Sequence, residues 1–267
     1  MPVEMVRSDD GTKIAYEREG NGPLLIIVDG ALTTRWSGSK RELVDLLAPH
    51  YTVIVYDRRG RGDSGDTAPY SVQREIDDIE EIIDSHGGSA FLYGHSSGGC
   101  LALEAAALLG YPEVMGVAVY EAPYDDDPSI QPGWTAYLEA LGAALGGGRR
   151  GDAVALFLEY LGIPAAHIAG VRQSPAWPGM EALAHTLAYD HAGVMGESRA
   201  LPRRQLAFVN ASTLAMAGGA SPPAMAATAR AISEAVTTAE VAHLDGQGHD
   251  VAPSALAPLL VEFFERG

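Results

Sequence analysis

Uninterrupted runs of branched and aromatic apolar residues, set between segments of helical period, constrain this chain more than anything else. Leu24–Val28 reads Leu-Leu-Ile-Ile-Val, and Val114–Tyr120 is almost as apolar. A strand of that composition cannot turn one face to water, so both faces must be covered. That is the situation of a parallel sheet with helices on either side. Residues 51–56 and 90–93 read the same way. Between those two runs, residues 71–85 place Val72, Ile76, Ile79, Ile82 and Ile83 near helical spacing, with acids on the other face. A helix of small residues is predicted over Ser97–Leu109. Alternation of this kind predicts an α/β fold with a mostly parallel sheet. Ahead of it, residues 4–7 and 12–17 flank Asp9-Asp10-Gly11, a hairpin signal.

The alternation stops after Glu121. Residues 122–205 hold no convincing strand, only helical pieces near 134–145, 152–161, 164–172 and 178–189, separated by Pro and Gly. Gly146-Gly147-Gly148 is a flexible joint. Strand signals return at 212–217 and 235–244, and 256–264 closes the chain as an amphipathic helix. The expected organisation is a core of 1–121 and 206–267 with an all-helical cap, 122–205, inserted in it.

A chain of 267 residues, 47% apolar, suits one large α/β domain carrying an insertion and can bury a core without disulfide or metal staples. Its one cysteine, Cys100, forms no internal disulfide; in the helix behind residue 96 it is expected to be a small buried packing residue. A reducing, cytoplasmic setting is expected. The first ten residues contain no apolar stretch of signal-peptide length, and the longest nearly apolar run, 100–109, is too short to span a bilayer. With 18 basic against 35 acidic residues the net charge is −17, which repels phosphate backbones and anionic membranes. The expected partner is a small-molecule substrate, with no nucleic acid and no membrane; a homodimer stays open.

Chemistry concentrates at Gly94-His95-Ser96-Ser97-Gly98-Gly99, between a predicted strand and a predicted helix. Gly-x-Ser-x-Gly in that setting is a nucleophile elbow: a turn so sharp that small residues must flank it, lifting the Ser96 hydroxyl above the sheet edge. A serine hydroxyl needs a base. Of eight histidines, His249 fits best, in the loop Gly246-Gln247-Gly248-His249-Asp250 between the last strand and the last helix. His243 lies within a strand pattern and is expected to pack. His95, inside the elbow, is expected to point back into the fold, and His185 and His191 are expected at the surface of the insertion. No His-Glu-x-x-His pair supports a zinc site, and neither a metal nor an organic cofactor is expected.

These features resemble the α/β-hydrolase superfamily over essentially the whole chain. Val28-Asp29-Gly30-Ala31 is similar to its oxyanion loop, the run from Asp57 to Gly65 to its loop after the fourth strand, and 122–205 to its helical cap. The resemblance implies an oxyanion hole made by the N–H groups of Ala31 and Ser97. Two departures stand out. Many relatives have His-Gly where this chain has Asp29-Gly30, and a carboxylate there opposes a developing oxyanion unless it is turned away or paired, with Arg35 as a candidate partner. The segment after the seventh strand, where most relatives carry the triad acid, reads Ala217-Gly218-Gly219-Ala220-Ser221 and has no carboxylate. Glu121 instead ends the strand before the cap, as in a subfamily of haloalkane dehalogenases. Parallel strands bring both ends to one edge, so Glu121 is the expected acid, ahead of Asp245 and Asp250, whose adjacency to His249 rarely gives the side-on contact required.

Gly60-Arg61-Gly62-Asp63-Ser64-Gly65 matches a dinucleotide fingerprint, but Pro69 separates it from the next helix, so no helix N-terminus faces a pyrophosphate. The expected function is a serine hydrolase acting on an ester, lactone or thioester of a small, largely apolar substrate. Ser96, His249 and Glu121 form its triad, and Trp134, Tyr137, Trp177 and Tyr189 touch substrate. The alternative is a non-hydrolytic protein on the same scaffold that binds a small metabolite or guides its cyclisation or rearrangement.

Overall fold

The computed structural model of the chain describes residues 2–266. Eight strands form one sheet in the order β1-β2-β4-β3-β5-β6-β7-β8. The hairpin signal is met by β1 (Glu4–Arg7) and β2 (Lys13–Glu19), which pair antiparallel with Glu4 opposite Tyr16. β2 also runs antiparallel to β4 (Thr52–Tyr56). All other pairs are parallel: β3 (Leu24–Val28) between β4 and β5 (Ala90–His95), then β6 (Val114–Tyr120), β7 (Ser212–Gly218) and β8 (Ala239–Leu244).

The apolar runs are buried on both faces. In β3, Ile26 and Val28 face α2 (Val72–Asp84) and α3 (Ser97–Leu109), whereas Leu25 and Ile27 face α1 (Lys40–Leu47) and α11 (Pro253–Phe264). Each fully buried Ile or Leu contributes about 1.5–3 kcal/mol by leaving water, so this two-sided core holds the strand ends in place. α2 begins where its pattern predicts, with Ser71 as N-cap accepting the Arg74 N–H.

Two helices escape the pattern. α1 is short, and α10 (Pro223–Ala235) is alanine-rich, which blurs its apolar stripe. Pro223 occupies the first turn of α10, where its missing N–H costs nothing. The strand predicted over 235–244 is correspondingly shorter, because α10 reaches Ala235.

Between β6 and β7 the described chain is helical: α4 (Gln131–Gly146), α5 (Arg150–Tyr160), α6 (Ala165–Val171), α7 (Trp177–Leu183), α8 (Thr186–Ala188) and α9 (Arg203–Leu206). The single helix expected over 178–189 is broken in two, and α8 runs into a widened turn, Tyr189–Val194, in which Met195 N–H reaches back five residues to Asp190 O at 2.9 Å. Among the described residues no helix is long and apolar enough to cross a membrane.

Candidate active site

Ser96 follows β5 directly and starts α3. Its φ of 56° and ψ of −131° are a strained combination for a residue with a Cβ. The turn exists because its neighbours are glycines. A Cβ on Gly94 would lie 2.6 Å from Gly98 O, and one on Gly98 would come within 2.6 Å of Asp29. Ser96 N–H is anchored on Tyr120 O at 2.9 Å, so β6 holds the turn from the side. Among the described residues the Ser96 hydroxyl makes no hydrogen bond.

Glu121 is the first residue beyond β6 and is itself held at a φ of 49°. Its N–H donates to Met216 O at 3.0 Å, and the Gly218 N–H at the tip of β7 donates to Glu121 Oε1 at 2.9 Å. The other oxygen, Oε2, pairs with His249 Nδ1 at 2.8 Å. Burial pushes the carboxyl pKa up, but the bonds from His249 and Gly218 outweigh it and hold the group below its ordinary value. With Nδ1 held by this buried carboxylate, Nε2 is the ring nitrogen left unengaged among the described residues, and the His249 ring is half exposed. The structure brings Glu121 and His249 together as expected.

The loop carrying His249 is fastened twice more. Tyr120 OH donates to Gly248 O at 2.6 Å, and His95 Nε2 sits 2.9 Å from His249 O with the two imidazole rings 4.8 Å apart. His95 therefore has a structural part, bracing the His249 loop. Desolvation, with the His249 imidazole beside it, holds its pKa below the ordinary value.

The loop after β3 runs against Ser96, and a Cβ on Gly30 would lie 3.0 Å from Ser96 Cβ. The Ala31 and Ser97 amides donate no hydrogen bond among the described residues. For Ser97 this follows from its place in the first turn of α3, where amides have no partner within the helix. Asp29 is paired with Lys40, not Arg35. Lys40 Nζ bonds Asp29 Oδ2 and donates to Thr34 O at 2.6 Å. Arg35 is already taken by Glu17, Asp57 and Asp63.

Beneath this loop lies a buried ionic group that the sequence did not reveal. Arg58 binds Glu75 with two bonds of 2.6 and 2.7 Å, and its NH1 donates to Asp190 Oδ1 at 2.6 Å and to Asp29 O at 3.0 Å. Arg61 donates to Asp190 Oδ2 at 2.6 Å and to Gly30 O at 2.5 Å. Ser97 Oγ donates to Asp190 Oδ1 at 2.9 Å. Asp190 is fully buried; desolvation raises its carboxyl pKa, and the two guanidiniums outweigh that and lower it. The arginines of the glycine-rich run after β4 thus engage internal carboxylates: Arg59 binds Asp78 and Asp10. No sequence signal joins Asp190 to residues some 130 positions earlier.

In the insertion, Trp134, Tyr137 and His191 are buried against the half-buried Tyr160 and Phe157, and Tyr137 OH lies 2.8 Å from His191 Nδ1. His191 is thus a core residue, not a surface one, while His243 is exposed on β8 instead of packed. Trp177 and Tyr189 do not join that group. Trp177 lies under Arg172, and Tyr189 stacks on Tyr70 at 4.0 Å with its hydroxyl on Asp66. Cys100 is fully buried against the sheet, and desolvation pushes its thiol pKa well up.

Comparison with known proteins agrees with this architecture. The sequence model of the alpha/beta hydrolase family matches residues 30–259. The crystal structure of an alpha/beta hydrolase from Sphaerobacter thermophilus is 49% identical, with a TM-score of 0.85 over 98% of this chain and 100% of that one. The enol-lactonase from Burkholderia xenovorans, 21% identical with a TM-score of 0.65 over 99% and 100% of the two chains, shares the fold. The protein named "Putative carbamate hydrolase RutD" from Cronobacter turicensis is 30% identical over 102 residues, 36% of each chain, so the match spans little more than a third of that curated relative.

Proposed function

The chain belongs to the alpha/beta hydrolase family, and we propose that within it the protein is a serine hydrolase cleaving an ester-type bond of a small, largely apolar substrate. The observation that carries this reading is the 2.8 Å bond between His249 Nδ1 and the buried Glu121 carboxylate, set beside a serine on a strained glycine-flanked turn. An imidazole so oriented is a base awaiting a hydroxyl, and the hydroxyl in question belongs to Ser96.

In the first half-reaction His249 Nε2 takes the Ser96 proton as Oγ attacks the substrate carbonyl. Glu121 holds the ring and balances its positive charge. The oxygen that becomes negative is received by the Ala31 and Ser97 N–H groups, each such donor contributing about 3 kcal/mol. The tetrahedral species collapses, and His249 gives its proton to the departing alcohol, leaving an ester on Ser96. Water, deprotonated by His249, then attacks that ester, releasing the acid and restoring the serine. Lys40 neutralises Asp29, so the carboxylate in the oxyanion loop does not oppose the developing charge.

The helical insertion, 122–205, acts as a cap over the strand ends, and the aromatic group around Trp134 and Tyr137 gives it an apolar interior. Trp177 and Tyr189, occupied with Arg172 and Tyr70, brace the cap. The substrate class includes esters, lactones and thioesters; the name carried by the Cronobacter relative adds carbamates, whose carbonyl the same groups would attack.

The test is labelling with a fluorophosphonate followed by intact mass measurement. One adduct on the wild-type protein, absent from Ser96→Ala, supports the reading. A folded wild-type protein that takes no label, and hydrolyses none of a panel of p-nitrophenyl esters, lactones, thioesters and phenyl carbamates, overturns it in favour of a non-hydrolytic role.

A further inference from the structure

The fully buried Asp190 carboxylate is linked to both arms of the proposed oxyanion hole at once. One arm is Ser97, whose hydroxyl donates to Asp190 Oδ1 at 2.9 Å. The other is the loop before Ala31, reached through two guanidiniums. Arg61 bridges Asp190 Oδ2 and Gly30 O, and Arg58 bridges Asp190 Oδ1 and Asp29 O. The geometry points to Asp190 as a positioning residue that aims the two oxyanion donors, which makes seating of the cap a condition of catalysis. This inference rests on the serine-hydrolase reading above.

Gly30 O and the Ala31 N–H belong to the same peptide unit, which is planar and trans, so the N–H points opposite to the carbonyl. A bond that fixes Gly30 O therefore aims the Ala31 N–H. Arg61 supplies it at 2.5 Å and Thr33 Oγ1 adds a second at 2.7 Å. A cationic donor on the carbonyl also polarises the peptide and strengthens its N–H as a donor. Arg61 cannot hold that carbonyl unaided, because its guanidinium is fully buried and its Nε has no partner among the described residues. What remains to orient it is the Asp190 carboxylate.

Asp190 comes from the insertion, while Arg58, Arg61, Gly30 and Ser97 come from loops at the strand ends. It sits in the widened turn Tyr189–Val194, an irregularity often found at functional sites. The same turn is pinned from outside, where Tyr189 stacks on Tyr70 and Tyr70 OH donates to Tyr189 O at 3.2 Å. Displacing this turn would remove the acceptor from two cations and a hydroxyl together. Charge does not argue against the arrangement: Asp190 and Glu75 balance Arg58 and Arg61, so no net negative charge is placed beneath the oxyanion.

The experiment compares wild type, Asp190→Asn, Ser97→Ala and the double variant, with active sites counted by fluorophosphonate labelling. It measures kcat and KM for p-nitrophenyl acetate and the inhibition constant of benzeneboronic acid, which forms a tetrahedral adduct on a serine. Asp190→Asn should lower kcat per labelled site by about 30- to 100-fold with KM changed less than threefold, and weaken boronate binding by a similar factor. Ser97→Ala should do the same on a smaller scale, about three- to tenfold. The double variant should fall short of the product of the two effects, because both act through one contact. A residue that merely stabilised the fold would change the fraction of labelled protein and leave per-site kcat and boronate affinity alone; that result overturns the inference. If Asp190→Asn does not fold, Ser97→Ala decides, and wild-type kcat and boronate affinity in that variant overturn it. A wild-type protein that neither labels at Ser96 nor hydrolyses the ester removes the serine-hydrolase reading and the inference with it.

Discussion

His249 Nδ1 meets Glu121 Oε2 at 2.8 Å across the tip of a strand to which neither residue belongs. Glu121 follows β6, the His249 loop follows β8, and β7 lies between them in the sheet. β7 contributes the Gly218 N–H, which takes up the second carboxylate oxygen. Replacing Glu121 by Gln keeps the volume and removes the anion, so the imidazole loses both its orientation and its counter-charge. We expect kcat for p-nitrophenyl acetate to fall by about 10³- to 10⁴-fold with a melting temperature within a few degrees of wild type. Full activity in Glu121→Gln would move the acid elsewhere.

Gly98→Ala probes the turn itself. The new methyl group would overlap the Val28 carbonyl oxygen and lie 2.6 Å from Asp29 O, both rigid backbone. Overpacking of this kind costs about 1–3 kcal/mol, and here it pushes the loop after β3 away from Ser96. Chemical denaturation should show a loss near the upper end of that range, together with a drop in kcat. A variant as stable and active as wild type would mean that the loop has more room than the structure gives it.

Lys40→Met strands the Asp29 carboxylate in a site where both partners are nine-tenths buried. Removing one partner of a buried pair typically costs about 3–5 kcal/mol, and under the proposed mechanism the unpaired charge opposes the developing oxyanion, so stability and kcat should fall together. Adding Asp29→Asn to Lys40→Met should restore most of both. If the double variant is no better than Lys40→Met, the pair is not what keeps that carboxylate harmless.

His191 makes stability depend on pH. Desolvation lowers its pKa from 6.5 to about 4, outweighing the upward pull of Asp190, with Arg61 adding to the fall. Between those values the unfolded chain binds the proton and the folded one does not, so stability rises with pH through that window and is lost as pH drops from 6.5 towards 4. The difference corresponds to about 3 kcal/mol. Melting temperatures at pH 7 and pH 5 should therefore differ less in His191→Gln than in wild type. Equal differences would show that the imidazole is not held neutral by burial.

The parts of the fold legible in the sequence are those whose signal is local and strong. Leu24–Val28, Val114–Tyr120 and Ser97–Leu109 coincide with β3, β6 and α3 because burial on two faces, or small residues behind a sharp turn, leave no other choice. Glu121 could be found because a carboxylate at a strand end is a position in a pattern. Asp190 could not: it lies in a turn whose backbone departs from ordinary helical bonding, and its partners are fixed only by how the insertion docks. Lys40 escaped for the same reason, since α1 had to be placed before Asp29 could be given a partner. His191 and His243 exchanged environments because the side a side chain faces depends on packing that periodicity alone does not set.

Gly218 gives the arrangement a direction. A side chain there would run into the carbonyl of Gln247, within the His249 loop, and, at 2.5 Å, the hydroxyl of Tyr120, which anchors that loop at Gly248 O. A laboratory lineage that lost its carboxylate at position 121 could not recover by the nearest one-step exchange on the neighbouring strand. It would first have to rebuild the support of the imidazole, and until then it would gain nothing from the new acid.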